Sequence, residues 1–222
     1  MAKGKSDVQP PATFRKSTAR EYFESICVAV ILALFVRTFV VQAFKIPTGS
    51  MEPNLLIGDH LLVNKFVFAP TRTALENTLL PIDPIKRGDI LVFKYPEDPE
   101  RDFIKRTIGL PGETVEVRDK TVYINGKALN ESYAHFLFPT DDPGTSESGG
   151  LDVPRRKWGP EVVPAGYYFM MGDNRDNSQD SRYWGFMPRD YVKGKALFVY
   201  FSFGENDSAT SVRWARILHQ IH

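Results

Sequence analysis

Ser50 and Lys105 are the two side chains whose surroundings suit them to act as a nucleophile and a base. Ser50 lies in the segment 46–53, IPTGSMEP, where two prolines and a glycine hold its hydroxyl in a stiff, irregular loop. Lys105 lies in the segment 102–108, DFIKRTI, whose alternation predicts a strand. An alcohol that attacks a carbonyl carbon needs a base to take its proton, and a neutral lysine amine can do this.

A lysine amine is a poor base at its ordinary pKa near 10.4, because it keeps its proton at neutral pH. Apolar surroundings disfavour the ammonium form and lower this pKa toward the working pH. The alternation puts Lys105 on the same strand face as Phe103, with Ile104 and Arg106 on the opposite face. Phe103, Ile104 and the apolar loop around Ser50 are candidates for the surroundings that lower the pKa.

Both residues also have ordinary structural interpretations. A serine beside glycine and proline is commonly a turn or helix-cap residue, so Ser50 by itself predicts no chemistry. Lys105 beside Arg106 is compatible with two solvated charges on an edge strand. Both alternatives stay open on these segments alone.

The segment 172–188, GDNRDNSQDSRYWGFMP, carries more charged, amide and hydroxyl groups than an ordinary surface loop. One interpretation is a cation-binding loop, because Asp173 and Asp176 are spaced three apart beside two asparagines. The embedded arginines and the lack of a glycine with a distal glutamate argue against calcium. The chain's four histidines are scattered without metal-ligand spacing, so we expect no metal site.

The composition indicates one sizeable core and balanced charge. The chain has 222 residues, 42% of them hydrophobic, with 28 basic and 27 acidic side chains and a formal net charge of +1. Because the charges are mixed along the chain, nothing favours nucleic acid as a partner. Cys27 is the only cysteine, which excludes an intramolecular disulfide. A Ser-His-Asp triad stays open from sequence alone, because triads are assembled in space.

The N-terminal region predicts a membrane anchor. The apolar stretch from Tyr22 to Val41 follows five basic residues, and at the helical rise it is about 30 Å long, the thickness of a bilayer core. The basic flank predicts an N-terminus inside and a body outside. A cleavable signal peptide is the alternative, since residues 41–43, VQA, have the small-residue pattern of a processing site. Arg37, which interrupts the apolar run before that site, favours a retained anchor.

Beyond the anchor, the sequence predicts a mostly antiparallel β body. Short segments rich in β-branched and aromatic residues alternate with glycine and proline, and they predict strands over residues 61–68, 89–95, 102–108, 114–118, 121–125, 167–171 and 196–203. Asn125-Gly126 is a strong turn signal and predicts a small hairpin over residues 121–129. The stretch 139–158 predicts a flexible loop or the edge of a peripheral subdomain.

Three long segments, in this order and behind an anchor, resemble those of type I signal peptidases, the bacterial leader peptidases. The resemblance covers residues 44–95, 102–113 and 167–188, with a weaker similarity over 213–222. It implies a membrane-anchored serine endopeptidase that removes N-terminal signal peptides from exported preproteins with a Ser/Lys dyad.

The resemblance also implies the organisation of the chain. We expect a cytoplasmic tail over residues 1–21, a single transmembrane helix over 22–43 and an extracytoplasmic antiparallel β catalytic domain over 44–222. A small peripheral β subdomain is expected near 114–165. The implied location is the bacterial inner membrane, with the N-terminus in the cytoplasm and the catalytic domain in the periplasm or its equivalent.

The resemblance implies a role for each matching residue of the reacting centre. Ser50 is the expected nucleophile, and Lys105 is the expected general base and later acid. The backbone N–H of Ser50 and the hydroxyl of Thr48, where many relatives have serine, form the expected oxyanion hole. Ser178 is expected to orient the lysine amine.

Other matching residues are expected to support this centre or to bind substrate. Two charged residues, Asp180 and Arg182, are expected to hold Ser178 and the lysine environment in place. Eight apolar residues are expected to form shallow pockets that admit alanine-sized side chains: Phe44, Ile46, Met51, Leu55, Leu61, Val92, Phe103 and Ile104. Glu52 and Asn54 differ from the commoner motif and leave the fine specificity open.

Signal peptides and membrane lipids are the expected partners, and no cofactor is expected. The sequence does not predict the oligomeric state. Two other functions stay open. A Ser/Lys self-cleaving regulator needs a DNA-binding or partner module, but the first 43 residues hold an anchor instead. A tethered β-domain that binds exported chains without cutting them needs neither Ser50 nor Lys105.

Overall fold

The structure, a computed structural model, describes residues 17–65, 84–137, 157–206 and 209–221. The chain divides into two compact units, residues 1–38 and residues 39–222. Three predicted features lie wholly or partly outside the described residues: residues 1–16 of the tail, residues 66–68 of the strand 61–68, and residues 139–156 of the loop 139–158.

The first unit contains the helix α1, Thr18–Phe35, which continues as a π-helical turn over Val36–Val40. No side chain of α1 is buried within the protein, and the helix is long and apolar enough to cross a membrane. The predicted bounds of 22–43 differ from the observed ones at both ends. The helix begins earlier because the Ser17 side chain caps it by accepting a hydrogen bond from the Arg20 N–H, and residues 41–43 belong to a strand.

The described residues of the second unit lie mostly in antiparallel strands, which confirms the predicted mostly β class. The strands are β1 Val41–Lys45, β2 Asp59–Asn64, β3 Ile90–Tyr95, β4 Asp98–Gly109, β5 Thr114–Arg118, β6 Thr121–Ile124, β7 Lys127–Ala128, β8 Lys157–Val162, β9 Tyr167–Met171, β10 Met187–Pro188, β11 Val192–Asn206, β12 Ala209–Val212 and β13 His219–Gln220. One short helix, α2 Ser181–Trp184, lies between β9 and β10.

Within the described ranges, these strands form two sheets. The larger sheet has nine strands in the order β1-β2-β11-β3-β4-β9-β10, with β12 and β13 paired to β11. The smaller sheet has the order β7-β6-β5-β8 and occupies the part of the chain where a peripheral subdomain is expected. Asn125 and Gly126 have φ angles of 51° and 76°, and the hairpin they connect, with Ile124 opposite Lys127, is confirmed.

The strand β4 carries Lys105 and lies inside the larger sheet, between β3 and β9. Lys105 is opposite Leu91 of β3, and the next residue, Arg106, is opposite Met171 of β9. The last six residues of β4 are all buried. The alternative that Lys105 and Arg106 are solvated charges on an edge strand is therefore wrong.

Candidate active site

Ser50 lies in a 3₁₀ turn, Gly49–Met51, that follows β1 and precedes β2. The loop is closed where the Ile46 N–H donates to the Asp59 carbonyl at 2.8 Å and the Gly58 N–H donates to the Ile46 carbonyl at 3.0 Å. Met51 is completely buried beneath the turn, so the loop is fixed by packing as well as by hydrogen bonds. The rigid loop that the prolines and glycine predict is positioned by two strands of the larger sheet.

The Lys105 amine meets the Ser50 hydroxyl across the sheet. Lys105 Nζ lies 2.6 Å from Ser50 Oγ, and the two residues are only 4% and 7% exposed. Burial lowers the pKa of Lys105 to about 8, although the carboxylates of Asp180 and Asp173 oppose that shift. The Phe103 ring also lies close, with its centroid 5.3 Å from Nζ. A hydroxyl thus lies in hydrogen-bond contact with an amine that loses its proton near neutral pH.

Gly172 opens the polar segment 172–188 and allows it to approach the nucleophile. A Cβ atom on Gly172 would lie 2.2 Å from Ser178 Oγ and 2.5 Å from the Ser50 carbonyl oxygen. Only a glycine permits this contact without displacing the neighbouring groups. The close approach brings Ser178 into the same site as Ser50, although the two are far apart in sequence.

The Ser178 hydroxyl has no hydrogen-bond partner of normal geometry among the described residues, although it is buried. The structure therefore shows no hydrogen bond between the Ser178 hydroxyl and the Lys105 amine, both of which are described. The hydroxyl still lies near the Asp180 carboxylate and helps to lower its pKa. Ser178 is in the site, and its orienting role stays a prediction.

Asp180 and Arg182 form a buried ion pair within the segment. Arg182 Nε donates to Asp180 Oδ1 at 2.8 Å, and Arg182 Nη2 donates to Asp180 Oδ2 at 2.9 Å. Burial alone would raise the pKa of Asp180, but the Arg182 charge and hydrogen bonds outweigh it, and the pKa is lowered. Asp180 also accepts a hydrogen bond from the Gly172 N–H at 3.1 Å, so the pair fixes the backbone beside Ser50.

Two further buried ion pairs hold the start of this segment. Arg106 donates to both carboxylate oxygens of Asp173, at 2.8 and 2.7 Å, and Arg175 donates to both oxygens of Glu131, at 2.8 and 2.6 Å. Arg106 thus occupies the carboxylate of Asp173, one of the two that the cation-binding loop would need. The geometry favours a salt-bridged support over the cation loop.

Sequence reasoning missed Asn174 as a site residue. Its backbone N–H donates to the Ser50 carbonyl, and its side-chain Nδ2 donates to the Gly49 carbonyl, both at 3.1 Å. Asn174 is 2% exposed. The dense polar segment was a signal for the region but not for this residue, because its partners lie more than a hundred residues away.

The two predicted oxyanion donors are not engaged elsewhere. Neither the Ser50 N–H nor the Thr48 hydroxyl has a hydrogen-bond acceptor within the described ranges, and Thr48 is exposed at the turn. Both groups lie next to the Ser50 hydroxyl in the chain. Two free donors beside a nucleophile can stabilise the negative charge that develops on a carbonyl oxygen, by donating hydrogen bonds to it.

Seven of the eight predicted substrate-binding residues belong to one apolar cluster of the larger sheet: Phe44, Ile46, Met51, Leu55, Leu61, Val92 and Ile104. Phe103 does not join them. Its ring stacks on Tyr95 with the centroids 4.2 Å apart, and it packs in a different cluster with Leu91 and Phe93. The separation follows from strand alternation, because Phe103 and Ile104 point to opposite faces of β4.

The C-terminal segment holds the nucleophile loop from its other end. Arg216 Nη2 donates to Asp59 Oδ2 at 2.6 Å and to the Asn54 carbonyl at 2.8 Å, and Ser202 donates to Asp59 Oδ1 at 2.6 Å. Burial would raise the pKa of Asp59, but these hydrogen bonds and the Arg216 charge outweigh it and lower the pKa. The weaker sequence similarity over 213–222 therefore includes a residue that braces the loop.

No histidine in the described part of the chain forms a hydrogen bond with Ser50. The His60 ring packs edge-on against Tyr200, Phe201 and Phe203. The His135 backbone pairs with the polar segment, and His219 lies in β13. His222 lies outside the described residues. The Ser-His-Asp alternative receives no support from these residues.

Comparison with known proteins identifies the family. Residues 19–201 match the family described as "Signal peptidase, peptidase S26". A signal peptidase I of Pseudomonas aeruginosa is 36% identical over 228 residues, which cover 89% of this chain and 78% of the relative. A signal peptidase I of Leptolyngbya laminosa is 38% identical over 202 residues, which cover 87% and 86% of the two chains.

Among solved structures, a signal peptidase I of Enterococcus faecalis is 36% identical, and the match covers 51% of this chain and 97% of that one with a TM-score of 0.39. The family match spans most of the chain, including both Ser50 and Lys105. The chain therefore belongs to the signal peptidase family, peptidase S26, and is a peptide-bond hydrolase of the serine peptidase class.

Proposed function

We propose that this protein is a membrane-anchored endopeptidase that removes signal peptides from exported preproteins, with Ser50 as nucleophile and Lys105 as general base. The observation that carries the proposal is the 2.6 Å contact between Lys105 Nζ and Ser50 Oγ in a buried site. The lowered pKa of Lys105, about 8, supports it further, because the amine is neutral in a useful fraction of molecules at working pH.

The reaction begins when the Lys105 amine takes the Ser50 proton and Oγ bonds to the scissile carbonyl carbon. The carbonyl oxygen becomes an oxyanion, and the Ser50 N–H and the Thr48 hydroxyl donate hydrogen bonds to it. The Lys105 ammonium then gives its proton to the leaving amine nitrogen, and the peptide C–N bond breaks. An ester between Ser50 and the signal peptide remains.

The second half of the reaction releases the signal peptide. Lys105, again neutral, takes a proton from a water molecule that attacks the ester carbon. The second oxyanion forms in the same hole, and the Ser50 oxygen leaves with the proton that Lys105 returns. One amine therefore acts as base and then as acid in each half.

The Ser178 hydroxyl is the proposed partner that orients this amine. A lysine amine on a long flexible chain needs a second contact to keep its lone pair directed at Ser50. The Ser178 hydroxyl is buried near the Asp180 carboxylate and makes no hydrogen bond of normal geometry among the described residues, which supports its availability for that contact.

Substrate binding is proposed along β4. Strand β9 pairs with β4 from Arg106 onward, so among the described residues the stretch 102–105 has no strand partner on that side. An extended peptide can add to such an edge through backbone hydrogen bonds. The apolar cluster that contains Ile46 and Ile104 then offers shallow pockets for alanine-sized side chains before the cut.

The anchor is proposed to be retained rather than cleaved. Residues 41–43 lie in β1, where Val41, Gln42 and Ala43 are opposite Asn64, Val63 and Leu62 of β2. A cut after Ala43 would remove most of an edge strand from the larger sheet. In intact spheroplasts, external protease should reach the second unit but not the N-terminus, and a mature chain beginning at Phe44 would contradict retention.

Membrane lipids are proposed to contact the second unit as well. Trp214 and Leu218 are 75% and 72% exposed, and Ile57 is 49% exposed. The segments that carry them are joined, because Arg213 Nη1 donates to the Ile57 carbonyl at 3.0 Å. Large apolar side chains exposed together are typical of a surface that enters a bilayer interface.

Cleavage of a purified preprotein by the full-length protein in detergent tests the proposed function. Ser50→Ala should lower the rate by about 10³-fold or more, since the nucleophile is lost. Ser132→Ala, at an exposed serine, is the matched control and should cleave normally. Near-normal cleavage by Ser50→Ala would end the proposal and would favour a domain that binds exported chains by other means.

A further inference from the structure

We infer that Asn174 is a positioning residue that strengthens the oxyanion hole through the peptide group between Gly49 and Ser50. This inference rests on the proposed function, because it assigns a partner to one of the proposed oxyanion donors. The carrying observation is the 3.1 Å hydrogen bond from Asn174 Nδ2 to the Gly49 carbonyl oxygen.

The Gly49 carbonyl and the Ser50 N–H are the two ends of one peptide group. A hydrogen bond to the carbonyl oxygen draws electron density toward oxygen, and resonance across the C–N bond then makes the N–H a stronger donor. The Gly49 carbonyl accepts two such bonds, one from Asn174 Nδ2 and one from the Glu52 N–H, both at 3.1 Å. The Ser50 N–H itself has no acceptor among the described residues, so its donor strength is available to a substrate oxyanion.

Asn174 is held so that only its donor end faces Gly49. The Asn174 N–H bonds the Ser50 carbonyl at 3.1 Å, and the Asn177 N–H bonds the Asn174 carbonyl at 3.1 Å. The Gly49 carbonyl sets the orientation of the Asn174 side-chain amide, because turning that amide by 180° would bring Oδ1 against the Gly49 carbonyl oxygen. Asn174 Oδ1 is buried without a partner in the described part of the chain, so the bond made by Nδ2 is the side chain's one polar contact there.

The hydrogen bond from the Asn174 backbone N–H holds Ser50 in place independently of the Asn174 side chain. Removal of the Asn174 side chain leaves its N–H, and hence the bond that holds the Ser50 carbonyl, in place. The contact between Ser50 Oγ and Lys105 Nζ does not involve Asn174. We therefore expect a loss of transition-state stabilisation without a change in the protonation of Lys105.

The test is preprotein cleavage by the full-length protein as a function of substrate concentration and pH, for Asn174→Ala and Asn174→Leu. Leucine keeps the branched shape but has neither the donor nor the acceptor of the amide. Each variant should lower kcat roughly tenfold to fiftyfold, less than the 10²–10³ lost with a direct oxyanion donor, because the second bond to Gly49 remains. KM should stay within about twofold, and the acid limb of the pH profile should not move.

Asn177→Ala is the matched control, because Asn177 is an exposed asparagine three residues away. It should show wild-type kcat. The inference is overturned if both Asn174 variants keep wild-type kcat, or if their loss appears as a raised KM or a displaced acid limb. Should Asn174→Ala fail to fold, Asn174→Leu decides by the same criteria.

The proposed function fails separately, through cleavage by Ser50→Ala. If Ser50→Ala is inactive and both Asn174 variants are normal, only the role of Asn174 is wrong.

Discussion

Replacing Lys105 with methionine should make the protein more stable at neutral pH while it removes the proposed base. Methionine keeps the length of the side chain but carries no charge. The lysine pKa falls from 10.5 to about 8 on folding because the amine is buried. At 1.36 kcal/mol per unit, this shift corresponds to a cost on the order of 3 kcal/mol for burying the ammonium form.

The stability gain depends on pH with a defined sign. Below pH 8 the folded and unfolded states both hold the Lys105 proton, so the wild type bears the full cost. As pH rises above 8 the folded state releases the proton while the unfolded state keeps it. Wild-type stability therefore rises by about 1.4 kcal/mol per pH unit until the unfolded lysine also titrates. The advantage of Lys105→Met should be greatest below pH 8 and should disappear near pH 10.5.

Urea unfolding of the full-length protein in detergent at several pH values measures this difference. All other groups titrate in both proteins, so the difference between their free energies of unfolding reports on Lys105 alone. Lys127→Met, at an exposed lysine of β7, is the control and should give a small difference without this trend. A Lys105→Met protein that is less stable than wild type at pH 7, or a gain that does not change with pH, would refute the reasoning.

Three other changes have defined outcomes. Thr48→Val should lower kcat by roughly 10²-fold, since one oxyanion donor is lost while the shape is kept; wild-type kcat would show that the backbone alone holds the oxyanion. Gly172→Ala should abolish cleavage, because the added carbon would lie 2.2 Å from Ser178 Oγ and would displace that side chain. Wild-type cleavage by this variant, with Ser178 unmoved in its crystal structure, would contradict this. Arg216→Met should lower the free energy of unfolding by about 3 kcal/mol, because Asp59 is left buried with only the more distant Arg213, whose Nη1 lies 3.9 Å from Oδ1, as a cation; an unchanged denaturation midpoint would contradict this.

Several strands follow from local patterns, whereas the roles of Ser50 and Lys105 came from the family resemblance. The predicted bounds of β5 and β9 match the observed ones, because β5 follows Pro111-Gly112 and β9 lies between Gly166 and Gly172. The alternation of residues 102–108 correctly separates Lys105 from Ile104. The same alternation explains why Phe103 packs apart from the apolar cluster, and its role in substrate binding stays a prediction.

Features that depend on distant contacts did not follow from local patterns. The first three residues of β1, 41–43, were included in the predicted membrane helix, because an apolar run gives no sign of where a helix ends and a strand begins. Its pairing with β2 decides this boundary. Asn174 lies 125 residues from Gly49, so its hydrogen bond depends on the approach that Gly172 allows. A single sequence shows the polar segment but not which of its groups meets the nucleophile turn.

The pH dependence of single-turnover preprotein cleavage tests the central claim most directly. If neutral Lys105 is the base, the wild-type rate should fall about tenfold per pH unit below its pKa of about 8. Lys105→Arg should be inactive at every pH, because a guanidinium keeps its proton and cannot accept another. Substantial cleavage by Lys105→Arg with the acid limb unmoved would show that another group takes the Ser50 proton.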